Sequence, residues 1–207
     1  MIRQNYLLLA AVCLMACNQP AKKVETTTQT TVTTDSSITE VNKDTITADK
    51  LIVPGKSIGQ TALNDNGADV TQRLGRPDAG DAAMGKSLSI WYANHDTTGY
   101  QTMVYASRQM GTNDETSRVK QIRITSPWFV TKDSIRVSST LEQIDKAYPT
   151  KKTAWFTKGG QKFNIYRADG IAFEIDPQQN CTAIIVFDAN SSPGSTYLPF
   201  YDNLEIY

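Results

Sequence analysis

The chain has 207 residues, with Lys+Arg and Asp+Glu both at 21, one histidine and three cysteines. A neutral balance without a basic cluster argues against nucleic acid as a partner. A lone histidine excludes a histidine-rich zinc site and any Cys–His catalysis that needs a second histidine.

Residues 1–16 carry Arg3 and then an apolar stretch from Tyr6 to Leu14. That is the form of a secretory signal, and it is too short to span a bilayer stably. Leu14-Met15-Ala16-Cys17 resembles the lipobox of bacterial lipoproteins. The resemblance implies cleavage before Cys17 and lipid on its sulfur and amino group, and more than one acyl chain suffices for stable anchoring. Asn18 is not the aspartate that holds some lipoproteins at the inner membrane, so the expected location is the bacterial cell envelope, lipid-anchored at the outer membrane. Residues 17–48 are dominated by Thr, with Ser, Gln, Lys and Glu. Such a segment buries too little surface to offset its ordering entropy and reads as a flexible tether. Its reach is roughly 30 Å for about thirty residues of coil.

The remaining length is enough for one sizeable core without disulfides. Cys13 falls in the signal and Cys17 in the lipobox, which leaves Cys181 beside a strand-like run as a small core hydrophobe. Val70 and Leu74 share a helical face that closes with Gly75 before Pro77. Strand-like segments follow at 88–92, 100–106 and 119–124. In the second half, Ile135 and Val137 alternate, and Thr140 with Gln143 matches a capping box. Leu141, Ile144 and Tyr148 then form an apolar stripe that Pro149 ends. Strands are expected at 163–166, 171–175 and 183–187, with Asp169-Gly170 as a hairpin turn. An offset of 74 maps Val70 onto Ile144, Leu74 onto Tyr148 and Tyr92 onto Tyr166, which suggests a duplicated unit. The expected fold class is α+β: two tandem helix plus three-stranded antiparallel meander units, at 49–126 and 127–207, forming one sheet packed by helices.

Ile52-Val-Pro-Gly-Lys-Ser-Ile-Gly59, followed by Asp69-Val-Thr-Gln-Arg-Leu-Gly-Arg-Pro77, resembles the pattern of the outer-membrane-assembly small-lipoprotein (SmpA/OmlA) kind. The tandem arrangement is similar to the β-lactamase-inhibitor-protein architecture, in which two helix-plus-meander units form a continuous sheet. The resemblance covers roughly 52–187 and implies a fold. No binding residue of either family matches a position here, so no activity is carried over.

Several motifs tempt a chemical reading. Residues 80–87, from Gly80 to Gly85-Lys86-Ser87, satisfy the phosphate-loop pattern, yet they follow a helix cap and enter a strand, so no nucleotide is expected. His95 sits in a polar loop, with Asp96 beside it and Asp114 and Glu115 in the next turn as conceivable metal co-ligands. Asn64-Asp-Asn-Gly67 lacks the spaced acids and terminal Glu of a calcium loop. Glu142, Asp145, Glu174 and Asp176 are scattered. No metal site, cofactor or catalytic residue is assigned. The aromatic residues are the better interaction candidates: Trp91 or Tyr92, Trp128-Phe129, Trp155-Phe156, and the closing Tyr197, Phe200, Tyr201 and Tyr207. The expected binding surface is Trp91, Trp128, Trp155 and Tyr201. The sequence therefore reads as a non-enzymatic, membrane-anchored envelope lipoprotein that binds or scaffolds an envelope protein partner. The alternatives are a binder of a small envelope ligand, such as a glycan or peptidoglycan fragment, and a hydrolase using loop carboxylates and His95.

Overall fold

The run Ala183-Ile-Ile-Val-Phe187 has no polar face, and a strand of that kind must be covered on both sides. In the computed structural model it lies in the middle of a nine-stranded sheet. The structure describes residues 46–191, 200–201 and 203–207. The signal, Cys17, residues 17–45 of the tether and Tyr197 lie outside the described residues.

In chain order, β1 (Leu51–Val53), β2 (Ser57–Ile58) and β3 (Thr61–Ala62) precede α1 (Gly67–Leu74). Then come β4 (Ala79–Ala83), β5 (Lys86–Tyr92), β6 (Gln101–Ser107), β7 (Arg118–Ile124) and β8 (Val130–Thr131). After α2 (Leu141–Ala147) follow β9 (Lys151–Lys158), β10 (Gln161–Ala168), β11 (Ile171–Ile175), β12 (Cys181–Phe187) and β13 (Glu205–Ile206). The large sheet has the order β13-β9-β10-β11-β12-β7-β6-β5-β4, antiparallel throughout. A small sheet has the order β3-β2-β1-β8, in which β1 and β8 run parallel.

The expected fold class is thereby corrected. Among the described residues there are thirteen strands against two α-helices of eight and seven residues, so the fold is mostly β. Each helix is followed by a meander of four strands, not three. The two extra strands are β4 and β9. Every residue of β4 (Ala-Gly-Asp-Ala-Ala) is exposed, so it carries no alternation to read. In β9 only Ala154 and Phe156 are buried, and lysines at both ends hide the pattern. The helices do not cover the sheet by themselves, because β1, β2 and the segment around Ile135 share that task.

Local chemistry places both helices. Asn66 caps α1 by accepting from the Ala68 N–H at 3.0 Å. Thr140 and Gln143 complete the capping box of α2: the Gln143 N–H donates to Thr140 Oγ1 and the Thr140 N–H to Gln143 Oε1. Val70 and Ile144 are the buried residue of each helix. They join Ile52, Ile58, Ile122, Ile124, Phe173, Ile184 and Val186 in the larger core on one face of the sheet. On the other face Ala154, Phe156, Ile165, Ala172, Ile185 and Phe187 form a second cluster, with Phe200, Tyr201 and Leu204 laid over it.

That second face also holds an ion pair. Arg123 Nε and Nη2 donate to the two carboxylate oxygens of Glu174 at 2.5 and 2.9 Å, and both side chains are buried. Nε also lies 3.2 Å from the Tyr201 hydroxyl, and Nη1 donates to Gln101 Oε1 at 3.3 Å. Arg123→Ala leaves the Glu174 carboxylate buried without a counter-charge, and should lower the unfolding free energy by about 3–5 kcal/mol in urea titrations. The double change Arg123→Met/Glu174→Leu should recover most of that loss. Equal destabilisation by the single and double variants would refute this account.

Candidate functional site

Trp91-Tyr92 on β5 and Trp155-Phe156 on β9 meet one geometric rule, that neighbours on extended chain point to opposite sides, and a third aromatic pair, Trp128-Phe129, divides the same way at a turn. The buried members are Trp91 and Phe156, while Phe129 packs against the larger core from its margin. Trp91 is 8% exposed, and its indole N–H donates to the Gly75 carbonyl at 3.0 Å. Phe129 closes over Gly59, where an added Cβ would fall within 2.9 Å of the ring. The outward members are Tyr92, Trp128 and Trp155.

The four aromatic residues expected to form one surface are not brought together. Trp91 belongs to the core on one face of the large sheet, and Tyr201 packs on the other. Tyr201 stacks on Phe156 at a 4.3 Å centroid distance. Trp155, on β9, is half-buried beneath the Lys162 ammonium at 4.0 Å. Trp128 alone stands well clear of the core, at 59% exposure.

Around Trp128 the fold assembles a groove of about 880 Å³, whose lining includes Ile46, Thr47, Lys50, Tyr100, Pro127 and Arg136. Ser126 Oγ accepts the Trp128 backbone N–H at 3.2 Å, which holds the turn. The Lys50 ammonium sits 4.0 Å from the Trp128 ring. Tyr100, just ahead of β6, is 54% exposed on the same groove. Sequence reasoning named Trp128 but missed Tyr100, Lys50 and Arg136, which arrive from three separate segments. A chemical reading of the groove is recognition: two large exposed rings beside two cations.

The remaining candidates are engaged elsewhere. His95 Nδ1 lies 2.6 Å from Asp78 Oδ1, not beside Asp114 or Glu115. The Tyr92 N–H and His95 together hold the Asp78 carboxyl below its ordinary range. Asp114 accepts from the Thr116 N–H and Arg118, and Glu115 from the Gly111 N–H. Glu142 pairs with Lys146, Asp145 with Thr150, Glu174 with Arg123, and Asp176 accepts the Asn180 N–H. Residues 80–87 form the β4–β5 hairpin, with Met84 and Gly85 at its tip and no helix behind it. Residues 64–67 form the turn into α1. Among the described residues no three His, Cys, Asp or Glu side chains converge as a metal site.

No family model matches this chain, and no curated protein matches it. Among solved structures, the chain is similar to an extracellular protein containing a SCP domain from Bacillus anthracis str. Ames, at 9% identity and a TM-score of 0.43. The match covers 70% of this chain and 49% of that one. A likeness of that strength transfers neither fold nor activity.

Cys181 is free and buried, and its Sγ lies 3.3 Å from the Ala183 carbonyl. Burial, reinforced by the Glu174 carboxylate, pushes its thiol far above the ordinary range. Since the thiolate is the reactive form, iodoacetamide should leave Cys181 unlabelled in the native chain and label it fully in denaturant, read by peptide mass spectrometry. Rapid native labelling would contradict the burial.

Proposed function

We propose that this chain is a non-enzymatic lipoprotein of the bacterial cell envelope, anchored at the outer membrane through Cys17, that binds a protein partner through the Trp128 groove. The observation that carries this reading is the exposure of Trp128 and Tyr100 in one concavity beside Lys50 and Arg136. Trp, Tyr and Arg are the residues that dominate interface energetics, and the two rings cover a large area at small entropic cost. Ile46 and Thr47 line the same groove, so the tether read from the sequence would enter the domain beside the partner. Nothing in the site or in the comparisons supports an enzymatic activity. No helix among the described residues is long and apolar enough to cross a membrane, and the anchor in this reading is the lipid on Cys17.

Two measurements test the proposal. A photo-crosslinker at Tyr100 should give a discrete protein adduct in the native envelope. Adding Trp128→Ala should reduce that adduct at least tenfold without lowering the melting temperature, because Trp128 supports no core residue. Trp91→Ala, by contrast, should destabilise the domain by about 3–5 kcal/mol. Undiminished adduct in the Trp128 variant would sink the groove as the binding surface. Separately, Cys17→Ser should abolish palmitate incorporation and move the chain from the membrane to the soluble fraction. Palmitate label retained by that variant would overturn the lipidation site.

A further inference from the structure

A second concavity lies where β1, the end of α2 and the β9–β10 pair meet. Its volume is about 770 Å³, inside the range of roughly 300–1,000 Å³ over which proteins enclose small molecules. The walls are aliphatic, from Leu51, Val53, Pro54, Pro149 and Ala168, with the ring of Tyr148 beside them. Folding leaves this apolar surface uncovered for local reasons. In β1 the middle residue, Ile52, goes to the core at 1% exposure, so Leu51 and Val53 turn away from it and stay half-buried. α2 stops at Ala147, and Tyr148, ahead of Pro149, is extended, so the helix does not continue beside the gap.

The entrance carries two ammonium groups, with the Asp169 carboxylate on the same rim and Asp133 near the Tyr148 hydroxyl. Lys132 and Lys151 are exposed at the rim, and neither ammonium meets a carboxylate or other acceptor among the described residues. Arg167 contributes only its stem, because its guanidinium donates to the Ala189 and Ser191 carbonyls at 3.2 and 2.6 Å and lies over Phe187. One carboxylate, Asp169, stands on the same rim and limits the negative charge that the site tolerates. Beside Pro149, the Tyr148 hydroxyl is buried without a hydrogen bond, close to Thr131 and Asp133. Burial pushes it up to about 12, so it stays neutral and adds no competing charge.

The cleft is also preformed. The Gly55 N–H donates to the Gly170 carbonyl at 2.9 Å. A Cβ on Gly170 would overlap the Gly55 backbone, and both glycines have positive φ. The wall at Pro54 is thereby locked to the turn that carries Asp169.

We propose that this cleft binds a single-chain aliphatic carboxylate, a fatty-acid-type amphiphile, with its chain on the Leu51–Val53 wall and its carboxylate paired with Lys132 and Lys151. A glycan is a poorer match, because the charged groups Lys132, Lys151 and Asp169 stand at the rim while the walls, Thr153 apart, are chiefly Leu, Ile, Val, Pro and Ala. The larger apolar side chains of the Thr-rich tether are only Val24, Val32, Ile38, Val41 and Ile46, each isolated between polar neighbours, with no continuous apolar stretch to lay along the wall. A dianionic headgroup meets Asp169. This site is independent of the Trp128 groove and stands or falls without it.

The test uses the full chain and sodium dodecanoate below its micelle concentration, read by titration calorimetry and thermal melting. Dodecanoate should bind saturably at one site and raise the melting temperature. Dodecylamine should bind at least tenfold more weakly, and acetate should not bind. The K132A/K151A variant should lower dodecanoate affinity on the order of tenfold while its ligand-free melting temperature matches the wild type. Val53→Trp should fill the cleft and abolish binding. The Trp128→Ala/Tyr100→Ala variant should bind dodecanoate like the wild type. No saturable binding, equal binding of dodecanoate and dodecylamine, or unchanged affinity in K132A/K151A would each overturn the proposal. Loss of binding in the Trp128→Ala/Tyr100→Ala variant would move the ligand to the groove and overturn it as well.

Discussion

The antiparallel pairing of β7 with β12 is the contact on which the rest of the domain depends. It sets Ile124 against Ile184, Arg123 against Ile185, Ile122 against Val186 and Gln121 against Phe187. One meander ends at β7 and the other at β12, so this seam turns two meanders into one sheet. Strands at such a seam have neighbours on both sides and covering on both faces, and the four residues 184–187 are accordingly inaccessible. Two unlike coverings are therefore needed. A layer of short helices and strands supplies the first, and residues returning from the C-terminal segment supply the second.

The second covering explains why a charged pair survives at the seam. Arg123 lies opposite Ile185 on a face otherwise lined by Ala172, Ile185 and Phe187. It tolerates that position because Glu174 engages two of its nitrogens, Gln101 takes a third, and the Tyr201 hydroxyl closes the remaining side. The pair thus orients Tyr201, which stacks in turn on Phe156. Polar groups in a core add little net stability when satisfied and cost a great deal when half-satisfied. Their value here is registration: of the three partners Tyr201 alone belongs to the closing segment, and its hydroxyl reaches the guanidinium only where that segment lies over Arg123.

Much of this was legible in the residues, and the failures have physical causes. The α2 start could be read because a capping box is local, three residues from donor to acceptor. The strands at 119–124, 171–175 and 183–187 could be read because they alternate or are apolar throughout. β4 could not, since an edge strand of alanine, glycine and aspartate has no buried face to impose a pattern. For the aromatic doublets, the rule that one member turns inward is legible, but which member does so depends on packing from distant segments. The same holds for the groove. Trp128 stood out by type, whereas Tyr100, Lys50 and Arg136 join it only through tertiary structure, as Asp78 joins His95 across seventeen positions.

The two borders of the large sheet are not equivalent. At one, β13 pairs with Ala154 and Trp155 of β9, the Tyr207 N–H donates to the Thr153 carbonyl, and Asn203 bonds to Thr157. At the other, β4 is exposed along its whole length and pairs only with β5. An unpaired strand border is a template for further strands, and a body with two such borders adds copies head to tail without limit. At the β13 side the border is only two residues long, against the eight that β9 would otherwise present. The short C-terminal strand therefore blunts that edge as a template for added strands, a role separate from the stability it adds.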